Sequence, residues 1–439
     1  MSFNIGLSGL YAANKQLDVT GNNIANVATT GFKSSRAEFE DVYSATKLGS
    51  GSKTIGNGVR LANVSQQFTQ GDVNNTGNVL DMGINGSGFF VLSENGSMSY
   101  TRAGTFKVDK DGYVTNTDGS ARLQGYGVDA NGKILNGVLT DLRIDTSNLA
   151  PKNTSTVSST INLNSTAPII NQITNPFDPS KEASFTKQFS TPIYDTQGNK
   201  HVMDQFMVKT ADNTWKTYTL IEGRNPDGSD PTVTPPVAST MNFDSAGKLT
   251  SVTTPVVPAT VPPSVITSPD LKVTGWIPGT VTNGTWTANG AASGVVTVSM
   301  DKTTQYNADT ARSIPSQNGY ATGQITNLTI DTSGVMLANF SNSQTKPIGQ
   351  ISLASFTNEQ GLQPVGGTSW KETYSSGIPG YDAPNTGTLG EIHSNSLEES
   401  NVNLTNELVD LIKAQSNYQA NAKTISTQST IMQTIIQMT

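Results

Sequence analysis

The chain has 439 residues, of which 34% are hydrophobic and only 14% charged; it carries a formal charge of −7 and no cysteine. The length exceeds what one core supports and predicts roughly two to four domains. A mildly acidic balance with no basic run excludes a nucleic-acid binder, the missing cysteines exclude disulfide and thiol chemistry, and no apolar run is long enough for a membrane-spanning helix.

The chain opens Met1-Ser2-Phe3-Asn4-Ile5-Gly6, with no basic or apolar leader, so no cleaved secretory signal is expected. Phe3, Leu7, Leu10, Asn14, Leu17, Gly21 and Ile24 follow at steps of four and three. That spacing lays one narrow seam along a helix, as in a coiled coil. The helix is predicted over about 2–27, with Gly31 closing the segment. Residues 33–71, rich in Ser and Gly around Lys53-Thr54-Ile55-Gly56-Asn57-Gly58, read as an extended connector with short β pieces.

Residues 72–146 are dense in turn pairs: Asn85-Gly86, Asn95-Gly96, Asp111-Gly112, Asp118-Gly119, Asn131-Gly132 and Asn136-Gly137. Each pair suits the positive φ of a tight hairpin. Strands are predicted at 89–92, 105–108 and 113–115, giving an antiparallel β-domain. From 147 to 314 the texture changes, with strands at 201–209 and 215–221. Eight of the twenty prolines fall between Pro231 and Pro269, which disfavours regular pairing there. The first texture returns over 315–374, with strands at 325–330 and 335–340. We therefore expect an inner β-domain made of 72–146 and 315–374, with 147–314 inserted as an outer β-domain. A second connector is expected at 375–395.

The C-terminal helical domain, 396–439, pairs in this scheme with residues 1–32. Its seam is Leu404, Leu408, Leu411, Gln415, Tyr418, Ala422, Ile425, Ser429, Met432 and Ile436. Ser400-Asn401-Val402-Asn403 supplies cap residues, and a fully helical end would be about 55 Å long. Charges are sparse: Glu407, Asp410, Lys413 and Lys423. The other faces are Gln, Ser, Thr and Asn, which gain little as an isolated helix. The ends are expected to order by packing against copies of the chain; an ordinary two-helix hairpin within one chain is the simpler alternative. The fold class is thus mainly β with helical termini, an elongated subunit with nested β-domains whose terminal helices pair as a coiled coil in a tubular polymer.

Signals for chemistry fall short. With only His201 and His393, a histidine metal site is not expected. Gly83-Ile84-Asn85-Gly86-Ser87-Gly88 has the wrong order for a dinucleotide loop, and Asp109-Lys110-Asp111-Gly112 lacks the later carboxylates of a calcium loop. Nothing assembles a nucleophile, a base and an oxyanion donor, so no catalytic, metal or cofactor residue is assigned. Trp215, Trp276, Trp286 and Trp370 are scattered and read as core.

Several stretches carry a resemblance. They are Leu7-Ser8-Gly9-Leu10, Leu17-Asp18-Val19-Thr20-Gly21-Asn22-Asn23-Ile24-Ala25-Asn26-Val27 and Thr30-Gly31-Phe32-Lys33 at one end. At the other are Ser396-Leu397-Glu398-Glu399-Ser400-Asn401-Val402 and Gln415-Ser416-Asn417-Tyr418-Gln419-Ala420-Asn421-Ala422. Between them lie Leu80-Asp81-Met82-Gly83-Ile84-Asn85-Gly86-Ser87-Gly88-Phe89-Phe90 and Tyr100-Thr101-Arg102-Ala103-Gly104-Thr105-Phe106. Together they resemble the bacterial flagellar rod–hook axial family. The length, Thr191-Pro192-Ile193-Tyr194-Asp195-Thr196-Gln197-Gly198-Asn199 and Gly349-Gln350-Ile351-Ser352-Leu353-Ala354-Ser355-Phe356 are similar to its hook branch.

The resemblance implies a non-enzymatic structural subunit that polymerises with itself into a curved hollow tube, a universal joint between rod and filament. It also implies export, without a cleaved signal, through the flagellar type III apparatus to the cell exterior, and contacts with rod, hook-cap and hook–filament junction proteins. Self-assembly is expected through the seam residues Phe3, Leu7, Leu10, Leu17, Ile24, Leu404, Leu408, Leu411, Tyr418, Ala422, Ile425, Met432 and Ile436. The alternatives are a distal-rod or junction subunit of the same family and, from another class, a secreted β-rich adhesin.

Overall fold

The computed structural model describes residues 2–42, 56–129, 132–255 and 265–438. Lys53-Thr54-Ile55 of the first connector, Asn131 of one turn pair and residues 256–264 of the Pro-rich stretch lie outside the described residues. Helix α1 is Ser2–Ala25 and helix α2 is Leu404–Met438. The start of α2 is capped by Asn403, whose Oδ1 accepts from Asn406 N at 3.1 Å while its carbonyl accepts from Glu407 N at 3.0 Å. At 35 residues, α2 is about 52 Å long. Among the described residues, those between the helices form strands, turns and irregular segments with two short 3-10 turns, so the chain is mainly β with helical ends.

The chain divides into two compact units. Unit 1 comprises Met1–Thr146, Thr326–Asn339 and Thr345–Thr439. In its main sheet, strands far apart in sequence pair directly. Arg122–Val128 lies beside Thr345–Ile351, Phe89–Glu94 beside Leu353–Ser355, and Ser97–Thr101 beside Ser369–Lys371. Phe89-Phe90-Val91-Leu92 shows why the sheet is buried on both faces. Phe90 and Leu92 enter one core with Met82, Ile84, Leu123 and Ile351, while Phe89 and Val91 enter another with Tyr100 and Trp370. Alternate residues of a strand point to opposite faces, so an unbroken apolar run needs cover on both sides.

The Asn95-Gly96 turn closes the hairpin between Phe89–Glu94 and Ser97–Thr101, with φ of 51° and 86° at its two central residues. Both are positive, as a type I′ turn requires. Asn136-Gly137, expected as a tight turn, lies instead inside the strand Ile134–Asp141, where the pairing with Arg122–Val128 shifts register. The same positive-φ chemistry serves a β-bulge there. A second correction concerns 375–395, expected as a connector. Gly380–Asp382 pairs with Leu353–Ser355, and Glu391–Ser394 pairs with Met82–Asn85, placing Ile392 in the core.

Unit 2 is Ser147–Ile325 with Phe340–Gln344. It extends beyond the expected limit at 314 because Leu149 and Lys152 bridge to Gly323 and Tyr320. A six-stranded antiparallel meander runs from Lys187–Tyr194 to Val265–Ser268. A five-stranded sheet is built around Thr156–Asn164. The two share one core, with Met203, Trp215, Met241 and Val252 from the first and Ile161, Leu271, Trp276 and Val298 from the second. This makes a β-sandwich. Trp215, Trp276 and Trp370 are all buried in cores, while Trp286 is only partly buried. These three indoles therefore present no exposed binding platform of the adhesin kind.

Candidate assembly interface

α1 and α2 pack along one another in antiparallel sense. A Cβ built on Gly6 would lie 3.1 Å from Ile425 Cγ1, one on Gly9 would lie 2.5 Å from Asn421 Oδ1, and Asn23 Nδ2 donates to Glu407 Oε1 at 3.0 Å. The face of α1 that is most buried is Gly6, Ala13, Thr20 and Asn23. Gly6, Ala13 and Thr20 repeat every seven, and these small residues let the helix axes approach closely. The predicted stripe through Leu7, Leu10 and Leu17 is offset from that face by one residue, and those three remain partly exposed, as does Ile24. The offset has a physical reason: a glycine and alanine stripe admits the partner's side chains, whereas leucines at the same positions would hold the helices apart.

On α2, the predicted seam is divided. Leu411, Ala422 and Ile425 are half-buried, with Ile425 against Gly6. Leu404, Leu408, Tyr418, Met432 and Ile436 are exposed, and so is Phe3 of α1. Val409 and Ile412 are exposed beside Leu408. At 100° per residue, Leu404, Leu408, Val409 and Ile412 spread over roughly 140° of the helix. That arc is wider than one coiled-coil partner covers. Past Ile425, α1 covers only about one further turn of α2, because it begins at Ser2, one turn before Gly6. Ile431, Met432 and Met438 are exposed beyond it.

The threonine hydroxyls on the polar faces of α2 are satisfied within the helix. Thr424, Thr427, Thr430 and Thr434 each donate their hydroxyl to the carbonyl four residues earlier, at 2.9–3.1 Å. This back-bonding satisfies the hydroxyls inside the helix and leaves methyl groups for packing. Replacing Gly9 by leucine is expected to cost the helix pair about 1–3 kcal/mol, through forced separation at Asn421. Faster amide exchange in α1, with the β-cores unchanged, would verify this; unchanged exchange would reject the close approach.

At the base of the helices lies a charge cluster that sequence reasoning missed. Lys33, Glu398 and Arg102 are all buried. Lys33 Nζ donates to Glu398 Oε1 at 2.6 Å and to Thr69 O at 2.8 Å, and Arg102 Nη1 donates to Glu398 Oε2 at 3.2 Å. Gly71 N also donates to Glu398 Oε1, at 3.0 Å, and Gly31 N to the Glu398 carbonyl at 2.8 Å. Burial pushes the Lys33 ammonium below the usual lysine range, against the pull of Glu398. Gly31 is needed as glycine: its φ is +67°, and a Cβ would meet Ala103 N at 2.4 Å. Asn401 completes the junction, accepting from Ser34 N at 2.8 Å and donating to Gln67 O at 2.7 Å. Higher up, Asn23 Oδ1 accepts from Ser35 N at 2.9 Å. Glu407, which takes the Asn23 amide, is held above the usual carboxylate range mainly by burial. The available signal was that Lys33, Arg102 and Glu398 each sit inside one of the family-like stretches.

Among the described residues no cluster of His, Asp and Glu fit to hold a metal is present, and no helix is long and apolar enough to cross a membrane. What this end of unit 1 offers is an exposed apolar arc on α2 beside a buried, ion-paired base.

Family models locate that architecture. Flagella basal body rod protein matches residues 3–33, flagellar hook protein FlgE/F/G D1 domain 83–164, flagellar basal body protein FlaE D2 domain 162–320, and flagellar basal body rod FlgEFG protein C-terminal 393–438. They define a structural protein of the flagellar axis, a class without enzymatic activity. The flagellar hook protein FlgE of Salmonella typhimurium is 37% identical over the full length of both chains. That of Borreliella burgdorferi is 33% identical over 99% of this chain and 98% of its own. This chain belongs to the flagellar hook protein FlgE family and is a structural subunit of the hook. The crystal structure of Helicobacter pylori flagellar hook protein FlgE2 superposes with a TM-score of 0.49 at 15% identity, covering 74% of this chain and all of that one.

Proposed function

We propose that the chain polymerises into a curved hollow tube that works as a universal joint between rod and filament, with α1 and α2 forming the inner wall. The observation that carries this reading is the apolar arc of Leu404, Leu408, Val409 and Ile412, left exposed although α2 is already packed on α1. Contiguous exposed apolar surface of this kind marks an interaction site, and its width calls for more than one neighbour. The seam residues Phe3, Leu7, Leu10, Leu17, Ile24, Leu404, Leu408, Leu411, Tyr418, Ala422, Ile425, Met432 and Ile436 are the proposed contacts. Leu411, Ala422 and Ile425 serve both the pairing within the chain and the neighbours.

In this reading the β-domain of unit 1 sits next to the tube wall. The inserted β-domain makes adjustable contacts with its own copies, and 33–71 links neighbouring subunits. Tight packing near the axis with looser polar contacts farther out makes a tube stiff in twist and soft in bending, because packed interfaces switch between discrete arrangements. The subunit passes through the type III apparatus, and meets rod, hook-cap and junction proteins at the ends of the tube. Electron microscopy of the concentrated protein tests the core of the proposal. Hollow tubes from the full chain, and dispersed subunits from a chain lacking residues 2–25 and 404–438, are expected. Tubes from the shortened chain would reject the helical wall.

A further inference from the structure

Three of the four segments around Glu398 come from the first quarter of the chain. Gly31–Ser35, Gln67–Val73 and Thr101–Gly104 are all made long before residue 398 of 439. Gly31–Ser35 touches both of the others directly, through Lys33 Nζ on Thr69 O at 2.8 Å and the close approach of Gly31 to Ala103, and the late segment 396–401 ties all three together. Ser396–Glu398 pairs with Val73–Asn75, Glu399 N donates to Asp72 O at 2.8 Å, and Asn401 bridges Ser34 and Gln67. The fit is close: a Cβ on Gly71 would lie 2.1 Å from Glu399 O.

Charge makes the dependence strict. The side chains of Lys33 and Glu398 are 0% exposed and that of Arg102 is 3% exposed. If the early segments closed on one another alone, two cations would be buried with no anion between them. An uncompensated buried charge is among the costliest defects a fold can carry. Arg102 has nothing in reserve, since its Nε is already buried without a partner. Phe89, whose ring lies 5.3 Å from the Arg102 guanidinium carbon, adds only a weak cation–π contact.

We propose that residues 396–401 are a latch, in which Glu398 neutralises Lys33 and Arg102 together and so permits the α1 base, Gly31–Ser34, to close on Thr101–Gly104 only once the C-terminal segment has arrived. A chain that emerges N-terminus first, as in synthesis, then keeps its N-terminal assembly helix undocked until nearly the whole subunit is available. The consequence is a guard against partly emerged chains engaging their neighbours.

Hydrogen exchange on the full-length protein tests the latch in two ways. In refolding of the unmodified chain, amides at Gly31 and Ser34 are expected to gain protection together with Glu399 and Asn401, and after Val91. Protection at Gly31 and Ser34 that precedes Glu399 would overturn the proposal. At equilibrium, Glu398→Gln keeps shape and removes the charge. It is expected to lower protection at Gly31 and Ser34 by about 100-fold, with the unit 2 strand Lys200–Ala211 unchanged. Adding Lys33→Met to that variant is expected to restore at least about tenfold, because one stranded cation is gone. Unchanged protection in Glu398→Gln, or no recovery in the double variant, would mean that the cluster is packing and not a latch. Should Glu398→Gln unfold unit 1 altogether, the refolding order of the unmodified chain decides.

Discussion

Aspartate at both Leu408 and Met432 is expected to abolish tube formation while leaving a folded, soluble subunit. The two side chains are 44% and 53% exposed in the isolated chain. A polar substitution at such positions changes stability by no more than about 0.5 kcal/mol. In a packed helical wall the same carboxylates would be buried without a partner, at a cost of several kcal/mol each. The defect repeats in every subunit, so it cannot be diluted along a polymer. Sedimentation and electron microscopy read the loss of tubes, and circular dichroism reads the retained fold. Normal tubes from the double variant would eliminate the exposed arc of α2 as the assembly surface. An unfolded subunit would instead show that these residues stabilise the chain itself.

The second large effect lies in unit 2, at Asp195. Its Oδ1 accepts from Gln197 N and Asn199 N, both at 2.9 Å. Its Oδ2 accepts from Asn199 Nδ2 at 3.0 Å and Asn289 Nδ2 at 2.6 Å, and lies 3.3 Å from His201 Nε2. Burial alone would raise this carboxyl. The amide, backbone and imidazole hydrogen bonds outweigh burial and hold it down to about 2. An unfolded aspartate titrates near 4. A depressed folded value means that the stabilisation is complete above the unfolded pKa and disappears as pH falls from about 4 to about 2. Asp195→Asn removes the charge and turns an amide NH₂ toward donors, so unit 2 is expected to lose about 2–3 kcal/mol at neutral pH. The gap between the two proteins should shrink on acidification through that window. Hydrogen exchange in Lys200–Ala211 at pH 7 and pH 3 measures both. A gap that stays constant with pH would show that the carboxylate charge contributes nothing.

Several features were legible in one dimension because their cause is local. The steps of four and three at both ends are a helical period, and both helices form within two residues of the predicted limits at their inner ends. Asn95-Gly96 forms the tight turn that its residue types favour, with positive φ at both positions. Strands 201–209 and 215–221 carry alternation dense enough to survive into Lys200–Ala211 and Thr214–Ile221. Asn136-Gly137 marks the limit of such reasoning. Positive φ was required there, but whether it makes a turn or a bulge depends on the neighbouring strand Arg122–Val128.

The amino-acid sequence by itself determined which segments are helical, where tight hairpins fall, that no thiol chemistry exists, and, through its family-like stretches, the kind of protein this is. Tertiary structure alone decided which face of each helix is spent inside the chain. A period of 3.5 residues says that a stripe exists, but not whether leucines or the glycines beside them meet the partner helix; closeness of approach settles that in favour of Gly6, Gly9 and Ala13. It alone also brought Lys33, Arg102 and Glu398 together. Charges separated by hundreds of residues leave no periodic trace, and their pairing is set by how three early segments and one late strand close around a single carboxylate.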